Sequence, residues 1–179
     1  MRTPKSKEKT EMTTLYAQPY DIAASGFYFD DADSYSRSAQ ALRNNYGQPV
    51  EEFEIQFIDG ERIDAALAEA WGLNQANLSR FFEIVDDWSD EQKQRFIIAV
   101  GECGYNFDPA SVEPDDFEVD LYEADSLRDL AEQFVDDGLY GEIPQHLANY
   151  IDYDAIARDL AVDFSQTEIA GARLIYACR

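Results

Sequence analysis

Self-repulsion is the strongest constraint on any fold this chain adopts. The sequence has 179 residues, 37 of them acidic and 14 basic, for a formal charge of −23. Four of the bases (Arg2, Lys5, Lys7, Lys9) sit in the opening "MRTPKSKEKTE" beside only two acids, Glu8 and Glu11. Residues 12–179 therefore carry 35 acids against 10 bases, a net of −25. Charge of this size opposes a compact state, so apolar burial has to carry folding. The 45% hydrophobic content is enough for a core. The same charge argues against direct binding to nucleic acid or to an anionic membrane.

No run reaches the ~18 apolar residues of a membrane span. The basic opening lacks the apolar segment of a secretion signal, and we read residues 1–12 as a disordered basic tail, with Met1 or Met12 as the start. Two cysteines, Cys103 and Cys178, set no disulfide framework, so a reducing cytoplasm is the expected location.

Periodicity divides the rest into three small units. In 13–60, short strands at 13–17 and 26–29 flank a loop. A helix over 34–45 follows, with Tyr35, Ala39, Leu42 and Tyr46 on one stripe, and then a strand at 51–59 with Phe53, Ile55 and Phe57 on one face. Residues 61–107 carry helical signals: "ERIDAALAEAW" stopped by Gly72, a stripe of Leu78, Phe81, Phe82 and Val85, and a capping-box pattern "SDEQ" at 89–92. Residues 108–179 begin with a strand at 116–122 and a helix at about 126–137 stopped by Gly138. A helix opening near Pro144, another capped by Asp152, and a hairpin turning at Ala170-Gly171 complete the unit. The expected fold class is α+β, an elongated chain of an α+β, an all-helical and a second α+β domain.

The charge concentrates in the third unit. Residues 112–163 hold 16 acids and 2 bases. In the strand "DDFEVDLYE", Asp116, Glu118 and Asp120 share one face at about 6.6 Å spacing, opposite Phe117, Val119 and Leu121. On the helix, Asp125, Asp129, Glu132 and Asp136 form a ridge opposite Leu127, Leu130 and Phe134, and only Arg128 relieves it locally. With Asp115, Glu123, Asp137, Glu142, Asp152, Asp154 and Asp159 these make fourteen candidate partner-binding carboxylates. One reading is a solvated face that keeps the chain soluble. The other is an imitation of a phosphate backbone: duplex DNA carries one charge per about 1.7 Å, so 25 charges match roughly 12 base pairs.

Catalytic chemistry finds little support. His146, the single histidine, opens an amphipathic segment and is read as a packing or surface residue. Neither cysteine has a nucleophile motif, zinc would need several His or Cys ligands, and "DDADS" (30–34) and "DYDA" (152–155) lack the glycine of a calcium loop. No Gly-rich phosphate loop occurs, and no carboxylate pair is singled out for hydrolysis. The expectation is a protein that is not an enzyme, with no metal and no cofactor.

The stretch "LAEQFVDDGLYGEIPQHLANYIDYDAIARDL" (130–160) resembles the C-terminal signature of the ArdA antirestriction family, and "EEFEIQFID" is similar to its first domain. The likeness covers residues 13–179; the basic tail and the Cys178 ending depart from the family pattern. The resemblance implies an elongated, curved dimer that mimics bent DNA, blocks the groove of type I restriction-modification enzymes, and is carried by mobile genetic elements. It places the antirestriction motif on Leu130, Glu132, Val135 and the segment to Leu147. The apolar run around Leu139, Tyr140, Ile143, Leu147 and Tyr150 is the expected dimer interface. A different DNA-binding defence complex as target, and a plain acidic scaffold, stay open beside it.

Overall fold

The structure, a computed structural model, describes residues 11–179; the expected tail falls on residues 1–10, outside that range, and on Glu11 and Met12. Among the described residues the fold is α+β, with two three-stranded antiparallel sheets and six α-helices. In the first sheet β1 (Thr14–Pro19) lies between β2 (Phe27–Phe29) and β3 (Phe53–Asp59). Leu15 and Ala17 alternate inward with Phe29, Phe53 and Ile55, so one face is apolar. Helix α1 (Ala32–Ala41) covers that face through Tyr35, whose ring lies 5.0 Å from Phe29 and 6.1 Å from Phe53. Its start is fixed by Asp31, whose carboxylate accepts the Ser34 N–H at 2.6 Å. It stops four residues before the predicted end: Leu42 turns extended, and the Asn44 side chain accepts the N–H groups of Tyr46 and Gln48.

Three helices follow: α2 (Arg62–Trp71), α3 (Leu78–Asp87) and α4 (Asp90–Gly101). Gly72 ends α2 in the left-handed conformation (φ 62°), where a side chain is disfavoured. The expected capping box opens α4: Ser89 Oγ accepts from Gln92 N–H, and Gln92 Oε1 accepts from Ser89 N–H. Phe96 of α4 is fully buried, its ring 4.8–5.8 Å from those of Trp71, Trp88, Phe107 and Phe117. Facing helices α2 and α4 also enclose an ion pair. Lys93 Nζ donates to Asp64 Oδ1 at 2.6 Å, both side chains are almost wholly buried, and Asp64 Oδ2 has no partner.

The second sheet runs β4 (Val119–Glu123), β6 (Ala172–Cys178), β5 (Ser165–Ile169), with β6 in the centre. β5 and β6 join through Ala170-Gly171, both at positive φ, as a two-residue hairpin turn requires. One face sends Val119, Ile169, Leu174 and Tyr176 into the core shared with the helices. The other sends Tyr122 and Ile175 against α5 (Leu127–Asp136) and α6 (Tyr153–Leu160), through Leu130, Phe134 and Leu160. A single buried cluster thus extends from Leu15 to Tyr176, across positions 60 and 107, with a smaller one beneath α5 and α6.

Three expectations need correction. The strand begins at Val119 rather than 116, because Asp116 turns back to accept the Glu113 N–H at 2.8 Å. No α-helix opens at Pro144: Gly138 and Gly141 lie at positive φ, and the chain makes hydrogen-bonded turns before a short 3-10 turn at Ala148–Tyr150. The cysteines, expected unpaired, form a disulfide across 75 residues, with Cα atoms 5.8 Å apart. Val119 pairs with Cys178 in the sheet. The segment that leads into Val119 begins at Cys103, and sequence spacing does not show that closure.

Candidate functional site

Helices α5 and α6 form the outer layer of the C-terminal unit, and their amphipathic periods determine what solvent meets. Because Leu130, Ala131, Phe134 and Leu160 face the sheet, the acidic positions between them face outward. Ser126 and Asp152 cap the two helices by accepting the N–H groups of Asp129 and Ala155. "DYDA" is thus a helix start, as "DDADS" is at Asp31.

Twelve of the fourteen candidate carboxylates are exposed; Asp120 and Glu132 are half-buried. Four are in ion pairs. Arg128 bridges the helices, reaching Glu132 at 3.2 Å and Asp154 at 2.7 Å, and the hydrogen bond to Asp154 raises its guanidinium further above its ordinary value. Arg173 lies 3.5 Å from Asp125, and Arg179 Nε donates to Asp120 at 2.7 Å. The other ten, Asp115, Asp116, Glu118, Glu123, Asp129, Asp136, Asp137, Glu142, Asp152 and Asp159, have no ion-pair partner among the described residues.

The structure keeps three of the four positions of the helical ridge, with Asp125 left outside the helix ahead of the Ser126 cap, and dissolves the strand row. On α5, Asp129, Glu132 and Asp136 remain three and four residues apart, about 5–6 Å between neighbouring side-chain origins. Asp116 and Glu118 instead precede the strand, and Tyr122, on the face of Asp120, packs 5.2 Å from Phe134. Helices therefore cover both faces of β4, which leaves no open acidic strand face. Arg173 and Arg179 were missed as partners because one lies in β6 and the other directly follows it, and only the pairing of β6 with β4 brings them alongside.

The acidic surface also extends beyond the predicted segment. A cleft of about 610 Å³ between α4 and the second sheet is lined by Asp90, Glu91 and Gln94 on one side, and by Leu121, Glu123 and Gln133 on the other. Asp90 and Glu91 read in sequence only as first-turn residues of a capped helix. Among the apolar candidates, Leu139, Tyr140, Leu147 and Tyr150 are exposed and Ile143 is half-buried. His146 is exposed, and among the described residues no group of three or more His, Cys, Asp or Glu is placed to hold a metal ion. No described helix is long and apolar enough to cross a membrane.

Residues 25–172 match the family model described as antirestriction protein (ArdA). The chain belongs to the ArdA family. That span includes all fourteen carboxylates and the apolar run at 139–150, and excludes Arg173, Cys178 and Arg179. No match is found among curated proteins. Membership gives this ArdA protein an antirestriction function, and restriction-modification enzymes as its class of partner.

Proposed function

We propose that this antirestriction protein is a non-catalytic DNA mimic, acting as a homodimer in the cytoplasm and occupying the DNA-binding groove of type I restriction-modification enzymes. The observation that carries the reading is the set of ten outward carboxylates without an ion pair among the described residues, seven of them in residues 123–159 and the other three, Asp115, Asp116 and Glu118, close by, where no turn or cap depends on the charge of most. A groove that binds DNA gains much of its affinity by releasing counterions as phosphates meet its lysines and arginines. Carboxylates at helical spacing draw on the same term and offer no base edges to read. Since phosphate contacts position a protein and base contacts specify sequence, the mimic acts regardless of the enzyme's recognition sequence.

Dimerisation is supported by Leu139, Tyr140, Leu147 and Tyr150, apolar side chains exposed within ten or so residues of sequence. Patches of this composition mark protein contacts, and two chains double the length of charge that a groove would meet. Light scattering tests both parts together. The free protein should have about twice the chain mass of 20.4 kDa. Mixed with a type I methyltransferase at low salt, the complex should gain the mass of two chains. A free monomer at every concentration would remove the dimer, and no gain in mass would remove the partner.

A further inference from the structure

We propose that Cys103 and Cys178 form a thiol-reactive redox site, a reversible tie between the C-terminal sheet and the helical core that sets the stability of the whole fold. The disulfide joins the residues just after α4 to the last position of the central strand β6. Its surroundings belong to the same junction. Phe117 and Val119 are buried beside it, the Tyr105 hydroxyl donates to the carbonyl of Arg179, and Arg179 N–H donates to the Glu118 carbonyl at 3.1 Å. Cys178 lies beyond the residues 25–172 that the family model covers, so family membership says nothing about this tie.

Exposure decides the chemistry. Cys178 is exposed and Cys103 half-buried, so a small thiolate reaches the Cys178 sulfur first. A dithiol reagent attacks Sγ of Cys178, and Cys103 leaves as a thiolate and takes up a proton. The second thiol of the reagent then displaces Cys178, which is protonated in turn. The protein gains two electrons and two protons, and the reagent departs as a cyclic disulfide. β6 stays paired with β4 and β5 after the bond opens, so the fold persists in the reduced state. What is lost is the constraint on the unfolded chain, large here because the closed loop spans 75 residues. For a chain of this size the thermal midpoint should fall by about 10 °C.

The test uses the full chain. After air oxidation the native protein should present no titratable thiol. Dithiothreitol without denaturant should release two thiols, lower the midpoint by about 10 °C and leave the circular dichroism spectrum unchanged, and reoxidation should restore the higher midpoint. The Cys103→Ser/Cys178→Ser variant should melt with the reduced wild type whether or not reductant is present; if it fails to fold, the reduced wild type supplies the same comparison. Two free thiols in the oxidised native protein, a bond that reduces only in denaturant, or a midpoint shift below about 2 °C would each overturn the proposal.

Discussion

Replacing Asp115, Glu123, Asp136, Asp137, Glu142 and Asp159 together by their amides is expected to weaken binding to a type I methyltransferase on the order of a thousandfold at low salt. All six are exposed, and none is in an ion pair or caps a helix with its carboxylate; Asp137 ends α5 through its backbone N–H, which the amide keeps. Their role in the proposed contact is therefore charge alone. A protein that makes six to ten phosphate contacts loses roughly 10³–10⁵ in affinity when salt screens them; removing six mimicking charges acts on the same term. Single amides should cost less than about fivefold, because an extended contact spreads its energy over many groups. The fold should be retained or slightly strengthened, since each like-charge pair on a helix costs about 0.2–0.5 kcal/mol. Titration of the six-fold variant against the methyltransferase, with circular dichroism as control, reads the effect. Wild-type affinity in a folded six-fold variant would reduce the acidic face to a solubility device.

The second large effect lies in the core and leaves the acidic face untouched. Lys93→Met should destabilise the protein by about 3–5 kcal/mol, because it strands the Asp64 carboxylate in a buried site with neither oxygen paired. Asp64→Leu/Lys93→Met should recover most of that loss, as replacing a buried pair by apolar residues of similar volume is often neutral or better. The pH dependence has a definite sign. Burial already pushes the Asp64 carboxyl up, against the opposing pull of Lys93. Removing Lys93 raises it further, so the folded state of the single variant holds a proton that the unfolded state releases near the ordinary pKa of about 3.9. Its stability is then greatest below that value and falls as pH rises through the folded pKa, and the double variant lacks this slope. Urea midpoints from pH 4 to 8 measure both. A cost below about 1 kcal/mol for Lys93→Met, or no slope, would show that water reaches Asp64.

Local patterns in this chain were legible wherever one element decides the outcome. The Ser89–Gln92 capping box, the Gly72 stop, the Asp152 cap and the Ala170-Gly171 turn are each settled by a few consecutive residues. So is the acidic ridge of α5, which follows from the 3.6-residue period of Leu130 and Phe134. What failed depended on distant pairing. The row at Asp116, Glu118 and Asp120 required one open face on β4, whereas helices pack on both faces of that strand. Asp125 and Asp120 looked uncompensated until β6 brought in Arg173 and Arg179. The Cys103–Cys178 bond and the Asp64–Lys93 pair join residues 75 and 29 positions apart, and neither leaves a local signal.

Displacement of a labelled duplex from a type I methyltransferase tests the mimicry most directly, because a mimic and DNA cannot share one groove. The protein should displace the duplex completely at micromolar concentration and low salt. It should do so equally well whether or not the duplex contains the recognition sequence, once the difference in DNA affinity is allowed for. The affinity that the titration yields should fall steeply as salt rises, as it does for DNA itself. A duplex that stays bound while the protein joins it in a ternary complex, or displacement indifferent to salt, would contradict DNA mimicry.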